Sequence, residues 1–224
     1  MKRSSLLVFA AALFISAPFG ISQASPNEQL DQILNKMQES AAKIKTISAD
    51  MEQVKPLDIG GSEKYRGRIF FKHVAKNNDK VMIVYSLPEG QTIWIEGDEI
   101  TLYQKTIKQA IITSRRSAAS KGDEFSFIAT PYTSIPELKS KYEIVYAGDE
   151  QGLAKLELTP RNKSSVKQLT LWVDKTQWLP TKYTVIESKG GTTTFTLTNL
   201  TINKVITDGT FKAKYPKDTS VIHK

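Results

Sequence analysis

Apolar residues recur at three- and four-residue steps through Leu30, Ile33, Leu34, Met37, Ala41, Ile44 and Ile47, with Asp31, Gln32, Lys36, Glu39 and Lys43 between them. This period is an apolar stripe along one side of an α-helix of about five turns. Ser25-Pro26-Asn27-Glu28 supplies the start of that helix. The serine caps, the proline takes the first helical position, and the glutamate completes a capping box. A stripe of this kind must be buried, most simply against a sheet.

Beyond Thr46 the period falls to two, and residues 47–54, 65–73 and 80–87 read as strands. In 65–73, Gly67, Ile69, Phe71 and His73 share one face and Arg68, Phe70 and Lys72 the other; in 80–87, Val81, Ile83 and Tyr85 lie together. Residues 56–63, with Gly60-Gly61, form a loop, and Asn77-Asn78-Asp79 and Pro88-Glu89-Gly90 form turns. Residues 91–96 and 99–104 pair across Gly97-Asp98 as a hairpin, and 108–113 offers a further strand. The strand rhythm breaks between 114 and 141. Polar and small residues there precede two short helical stretches, 123–129 and 134–139, which Pro131 and Pro136 limit. Strands return at 142–147, 153–159, 169–173, 180–187, 192–197 and 200–203, with turns at Asp174-Lys175, Lys189-Gly190-Gly191 and Asp208-Gly209. Ten or more antiparallel strands twist into a closed or partly open barrel. No stretch reads as a domain linker.

The first 24 residues stand apart from this pattern. Lys2 and Arg3 precede an apolar run, 6–15, that is too short to span a bilayer, and Ser22-Gln23-Ala24 is a small-x-small cleavage signal. The expectation is a signal peptide over 1–24, cut after Ala24, and a single domain over 25–224. The chain has 224 residues and no cysteine, so an exported fold is held by its core alone, without disulfides. A lipid anchor at the cleavage site would need a cysteine as the first mature residue, so the expected location is the periplasm, in soluble form. The formal net charge of +8 becomes +6 once Lys2 and Arg3 are removed. That is a mildly basic surface, and with no basic run beyond Arg115-Arg116 it argues against a nucleic-acid partner.

Candidate chemistry is sparse. The two histidines, His73 and His223, sit on a strand and at the penultimate position, without a G-x-S-x-G nucleophile motif. There is no cluster with metal-ligand spacing, no phosphate-binding glycine motif and no carboxylate pair that stands out, so the expectation is no enzyme, no metal and no cofactor. What remains is a binding architecture. In a closed barrel the alternating apolar residues are plain core; in an open one they line a cavity beneath the helix.

Several stretches carry a family resemblance. Thr46-Ile47-Ser48-Ala49-Asp50-Met51-Glu52-Gln53 follows the first helix, and Gly67-Arg68-Ile69-Phe70-Phe71-Lys72 is a glycine-led strand. Tyr85-Ser86-Leu87-Pro88 precedes Gly97-Asp98, and Leu158-Thr159-Pro160, Leu171-Trp172-Val173-Asp174 and Leu179-Pro180 follow, with Phe211 and Pro216 nearer the end. Their order and spacing after a cleavable leader resemble the periplasmic carrier of outer-membrane lipoproteins, the LolA-type family.

The resemblance implies an α+β, mainly β fold: a strongly curved antiparallel sheet, an incomplete barrel, covered by a long N-terminal helix and short lid helices. It implies a monomeric carrier that takes acylated lipoproteins from an inner-membrane lipoprotein-releasing ABC transporter and shields their acyl chains in an apolar cavity. The carrier then passes them to an outer-membrane acceptor. Strand alternation and the helical stripe nominate Ile69, Phe71, Val81, Ile83, Tyr85 and Ile95, with Leu30, Ile33, Leu34 and Met37, as the lining. The family's gating arginine follows its second strand in a basic-proline segment. Here that stretch reads Lys72-His73-Val74-Ala75-Lys76, so Lys72, His73 and Lys76 mark the gate region without an arginine or a proline. Two alternatives stand beside the carrier: a lipid- or lipoprotein-sensing module docking on a membrane protein, and an envelope hydrolase, which would need a convergent polar site.

Overall fold

The computed structural model describes residues 25–57, 59–74, 78–120 and 134–224. The helical stripe forms α1, Pro26–Lys43, and both halves of the expected capping box are made. Glu28 N donates to Ser25 Oγ at 3.3 Å, and Ser25 N donates to Glu28 Oε2 at 2.8 Å. The stripe ends sooner than the sequence period implies. Ile44 is the C-cap in extended backbone and Ile47 lies in the first strand, yet both are buried, so apolar spacing outlasts the helix.

Twelve strands follow: β1 Thr46–Pro56, β2 Ser62–Lys72, β3 Lys80–Leu87, β4 Glu89–Glu96, β5 Glu99–Gln104, β6 Gln109–Ser114, β7 Tyr142–Glu150, β8 Leu153–Pro160, β9 Val166–Asp174, β10 Leu179–Glu187, β11 Thr192–Ile202 and β12 Ser220–His223. Among the described residues, two short helices, α2 Arg115–Ser120 and α3 Ile135–Lys141, lie between β6 and β7. The strands form one sheet in the order β12-β6-β5-β4-β3-β2-β1-β11-β10-β9-β8-β7. Two antiparallel meanders, β1–β6 and β7–β11, are thus joined where β11 pairs with β1. The short β12 lies parallel to β6, and the sheet curves without closing into a barrel. This is the α+β incomplete barrel implied by the resemblance.

Three sequence expectations are corrected. Residues 192–197 and 200–203 are a single strand, β11, with an irregularity opposite Ser48/Asp50. Asn199 there adopts a left-handed φ of 52° and its side chain donates to Asp50 Oδ2 at 2.8 Å, so a bulge rather than a turn absorbs the break. Pro136 does not limit a helix; it sits in the first turn of α3 behind the N-cap Ser134, where its missing N–H costs nothing. Pro88-Glu89-Gly90 is tighter than expected, since β4 already begins at Glu89. The helix α2 and the strand β12 have no counterpart in the sequence reading. The helical stretch expected at 123–129 and the leader at 1–24 lie outside the described residues.

Candidate functional site

Side chains of the sheet divide by parity into two faces. One face carries Ile47, Ala49 and Met51 of β1, Ile69 and Phe71 of β2, Val81, Ile83 and Tyr85 of β3, and Ile93 and Ile95 of β4, all buried. The second meander continues it with Leu156, Leu171, Tyr183 and Phe195. Ile33, Leu34 and Met37 of α1 belong to the same apolar cluster, so this is the face the helix covers. Nine of the ten nominated lining residues are therefore fully buried in one layer, and the tenth, Leu30, packs against its margin partly buried. The nomination omitted Ile93, Ile100 and the whole contribution of β8–β11. The period-two signal that selected Ile69 was present in each of those strands.

The helix cover is lopsided. Helix α1 contacts β7, β10 and α3, at one end of the sheet order. Its apolar seam is small, and a few polar contacts hold its margins. Lys139 of α3 reaches Asp31 at 3.1 Å, and Ser40 Oγ donates to Gln177 O at 2.5 Å. Lys36 Nζ lies 4.3 Å from the ring centre of Trp178. Trp178 sits at a left-handed φ of 54°, an uncommon conformation for a bulky residue, in a turn that Asp174 braces by accepting from the backbone N–H groups of Thr176 and Gln177. Asn203 ties down the C-terminal end, donating to Lys43 O at 2.9 Å and accepting from Lys45 N at 2.7 Å. Arg161 anchors α3 from outside, with Nε donating to Lys139 O at 3.0 Å and to Tyr142 O at 3.1 Å.

Of the gate region, Lys72 and His73 are described and Lys76 lies outside the described residues. Lys72 Nζ is 2.8 Å from Asp208 Oδ1, which holds the Asp208 carboxyl below its ordinary range. Lys72 therefore fastens the segment after β11 to the outer face of β2. His73 Nδ1 is 2.6 Å from Asp79 Oδ1 across the β2–β3 loop. At the same rim Arg115 donates from Nε to Gly97 O at 2.6 Å, and burial pulls its guanidinium below its ordinary value. Among the described residues no group of three His, Cys, Asp or Glu side chains could hold a metal ion. No described helix is long and apolar enough to cross a membrane.

The outer face, opposite the helix, carries an open groove of about 720 Å³ over β11, β1, β2 and β3. Its apolar lining is Phe70, Met82 and Val84, and its charged flank is Arg66–Glu52 and Arg68–Asp50, paired at 2.9 and 3.3 Å. Gly67 forms part of its floor. Further along this face Trp94, Tyr103 and Ala110 make a small second cluster with Met82, closed by Tyr215, whose ring stacks on Tyr103 at 5.8 Å.

Among the described residues, the face of this unclosed sheet that the helix covers is mostly apolar, with Gln53 and Thr193 as buried polar members, a surface suited to holding apolar groups. The family model described as "Outer membrane lipoprotein carrier protein LolA" matches residues 42–214, and the chain belongs to that family. No curated protein matches the chain. Among solved structures, an uncharacterized conserved protein from Thermus thermophilus superimposes with a TM-score of 0.55 at 12% identity, over 88% of this chain and 99% of that one. A DUF1329-family protein from Desulfovibrio piger gives 0.51 at 13% identity, over 84% and 98%. MucB gives 0.52 at 14% identity, over 87% of this chain and 65% of that one. At these identities the three share the fold with this chain.

Proposed function

We propose that the protein is a periplasmic carrier of acylated lipoproteins. It accepts them as a monomer from an inner-membrane lipoprotein-releasing ABC transporter and passes them to an outer-membrane acceptor. The acyl chains occupy the apolar layer between α1 and the sheet. The observation that carries this reading is the continuity of that layer: one apolar cluster runs from α1 across both meanders of a sheet that does not close. The function is binding and release, without catalysis.

The energetics favour a cavity that opens to load. Fully burying a large apolar side chain is worth about 1.5–3 kcal/mol, so lifting the seam of Ile33, Leu34 and Met37 forfeits roughly 5–9 kcal/mol. An acyl chain brings about 0.8 kcal/mol per methylene, so a chain of roughly 15 methylenes brings about 12 kcal/mol and covers the same surface. Closed, the container hides its own apolar face; open, the cargo replaces the helix. The few polar contacts at the helix margin suit such an exchange, since exposed pairs are each worth less than about 1 kcal/mol.

The test is recovery of cargo. The protein purified from the periplasm of cells depleted of the outer-membrane acceptor is expected to carry acylated lipoprotein, seen by mass spectrometry. Recovery of the protein free of any acylated species under that depletion would refute the reading.

A further inference from the structure

Strand pairing sorts the turns of the sheet onto two rims. Pro56 faces Ser62, Arg66 faces Leu87, Gln104 faces Gln109, Val54 faces Thr194 and Glu187 faces Val166. The β1–β2, β3–β4, β5–β6, β8–β9 and β10–β11 connections therefore share one rim. Turns on a protein surface are ordinarily polar. This rim presents instead Ile59 at 98% exposure, with Leu57, Leu87 and Ile107 also exposed.

The geometry makes Ile59 a projecting tip. The pairing of β1 with β11 ends at Val54, and that of β2 with β3 begins at Arg66, so Lys55, Pro56, Ser62 and Glu63 pair only with one another. At about 3.3 Å per residue the tip stands roughly 10 Å beyond its neighbours. It is closed by Leu57 N donating to Gly61 O and Gly60 N donating to Leu57 O, both at 3.2 Å, and Gly60 and Gly61 take φ of 88° and 84° that hold the turn in this shape. The tip is thus a defined turn that places an apolar side chain in water.

Charge on the same rim favours one kind of partner. Lys55 and Lys64 flank the tip, Lys105 and Lys108 flank Ile107, and Lys163 and Lys189 lie in the next two loops. The described carboxylates there are Glu63, Glu89, Glu187 and Asp218, the last 2.5 Å from Lys108 Nζ; Asp58, between Leu57 and Ile59 in the sequence, lies outside the described residues. The opposite rim holds Asp79, Asp98, Asp149, Glu150, Asp174 and Asp208, of which Asp149, Glu150 and Asp208 pair with Lys175, Lys155 and Lys72, and Asp79 faces His73. Isolated apolar side chains on separate turns, each beside ammonium groups, form no contiguous patch for a complementary protein pocket. They match a deformable anionic interface, in which isoleucine and leucine enter the headgroup boundary while lysines remain among the phosphates.

We propose that this rim docks on an anionic lipid bilayer, with Ile59 and Leu57 as the inserting residues. The contact is reversible, because so few inserting side chains fall short of a stable anchor. The proposal does not depend on what fills the inner layer, and its test involves no cargo.

The chain has no cysteine, so Ile59→Cys carrying an environment-sensitive fluorophore reports on the tip alone. Vesicles of phosphatidylglycerol and phosphatidylethanolamine are expected to shift its emission to the blue, and high salt to reverse the shift. The same label at Val205→Cys, exposed on the opposite rim, is expected to stay unshifted. Leu57→Asp with Ile59→Asp, both at exposed positions, is expected to lower vesicle co-sedimentation of the processed chain at least ~10-fold with an unchanged unfolding midpoint. No shift at Ile59, an equal shift at Val205, or undiminished co-sedimentation of the double variant would each overturn the proposal.

Discussion

Replacing Gly67 with alanine tests how the sheet achieves its curvature. Gly67 lies on the inner face of β2 at a register shift against β3, opposite Met51 and Tyr85. A Cβ added there would stand 2.3 Å from Val84 O, 3.0 Å from Val84 C and 3.1 Å from Tyr85 Cα. All three neighbours are backbone, so no rotamer change relieves the contact. The first distance is about 0.7 Å below the 3.0 Å that real Cβ atoms essentially never breach, so β2 and β3 must separate locally. Overpacking of a rigid site costs about 1–3 kcal/mol, and backbone neighbours place Gly67→Ala at the upper end, about 3 kcal/mol. For a domain of this size that lowers the melting temperature by roughly 6–12 °C. Gly97→Ala provides the contrast. Gly97 has a φ of 59° but its nearest neighbour is the Asn78 side chain at 3.6 Å, so only the left-handed backbone penalty of about 1 kcal/mol applies. Urea unfolding followed by circular dichroism measures both. A Gly67→Ala variant within 0.5 kcal/mol of the parent, or no less stable than Gly97→Ala, would refute the close-approach argument.

Further outcomes follow from the same geometry. Ile83→Ala, at a fully buried position of the inner layer, is expected to cost about 2–5 kcal/mol in urea unfolding, whereas Val84→Ala on the outer face, 39% exposed, is expected to cost less than about 1 kcal/mol. Ser25→Ala removes the cap of α1 and is expected to cost about 1 kcal/mol, with faster hydrogen exchange confined to the first turn. The Tyr146 hydroxyl donates to Asp149 Oδ1 at 2.6 Å and is pushed up to about 12 by that bond, while Asp149, paired also with Lys175, is held below its ordinary range. Folding therefore favours the protonated phenol. The stability from this pair is fully present below the ordinary tyrosine value of about 10 and is lost as pH rises through about 12. The Asp149 share is present above about 4 and is lost as pH falls below it. Absorbance titration of the tyrosines is expected to show Asp149→Asn moving one phenol down toward 10.

The sequence carried much of the fold because several of its signals are strictly local. Ser25, Pro26 and Glu28 specify a helix start within one turn, and Gly97-Asp98 specifies a hairpin within two residues. The inner layer was legible for a related reason: alternation assigns Ile69, Phe71, Val81, Ile83 and Tyr85 to one face whatever the sheet does at long range. Features that depend on distant partners were not. The pairing of β1 with β11, the parallel docking of β12 on β6 and the hold of Lys72 on Asp208 each join residues more than a hundred positions apart. The outer groove escaped notice because its charged positions read as solvated surface. Only the cross-strand register sets Phe70 opposite Met82 and brings Gly67 to the same groove. Trp178 in its left-handed turn gives no signal in a propensity-based reading, since bulky residues rarely take that conformation.

The central claim is that cargo acyl chains lie in the inner layer and not in the outer groove. Site-specific photo-crosslinking in cells separates the two directly. A photoreactive phenylalanine analogue at Tyr85, on the inner face, and another at Leu30, on the margin of α1, are compared with one at Phe70 in the groove. The account predicts crosslinks to acylated lipoprotein from Tyr85 and Leu30 and none from Phe70. Crosslinks from Phe70 alone, or from none of the three while the protein remains folded and exported, would contradict it.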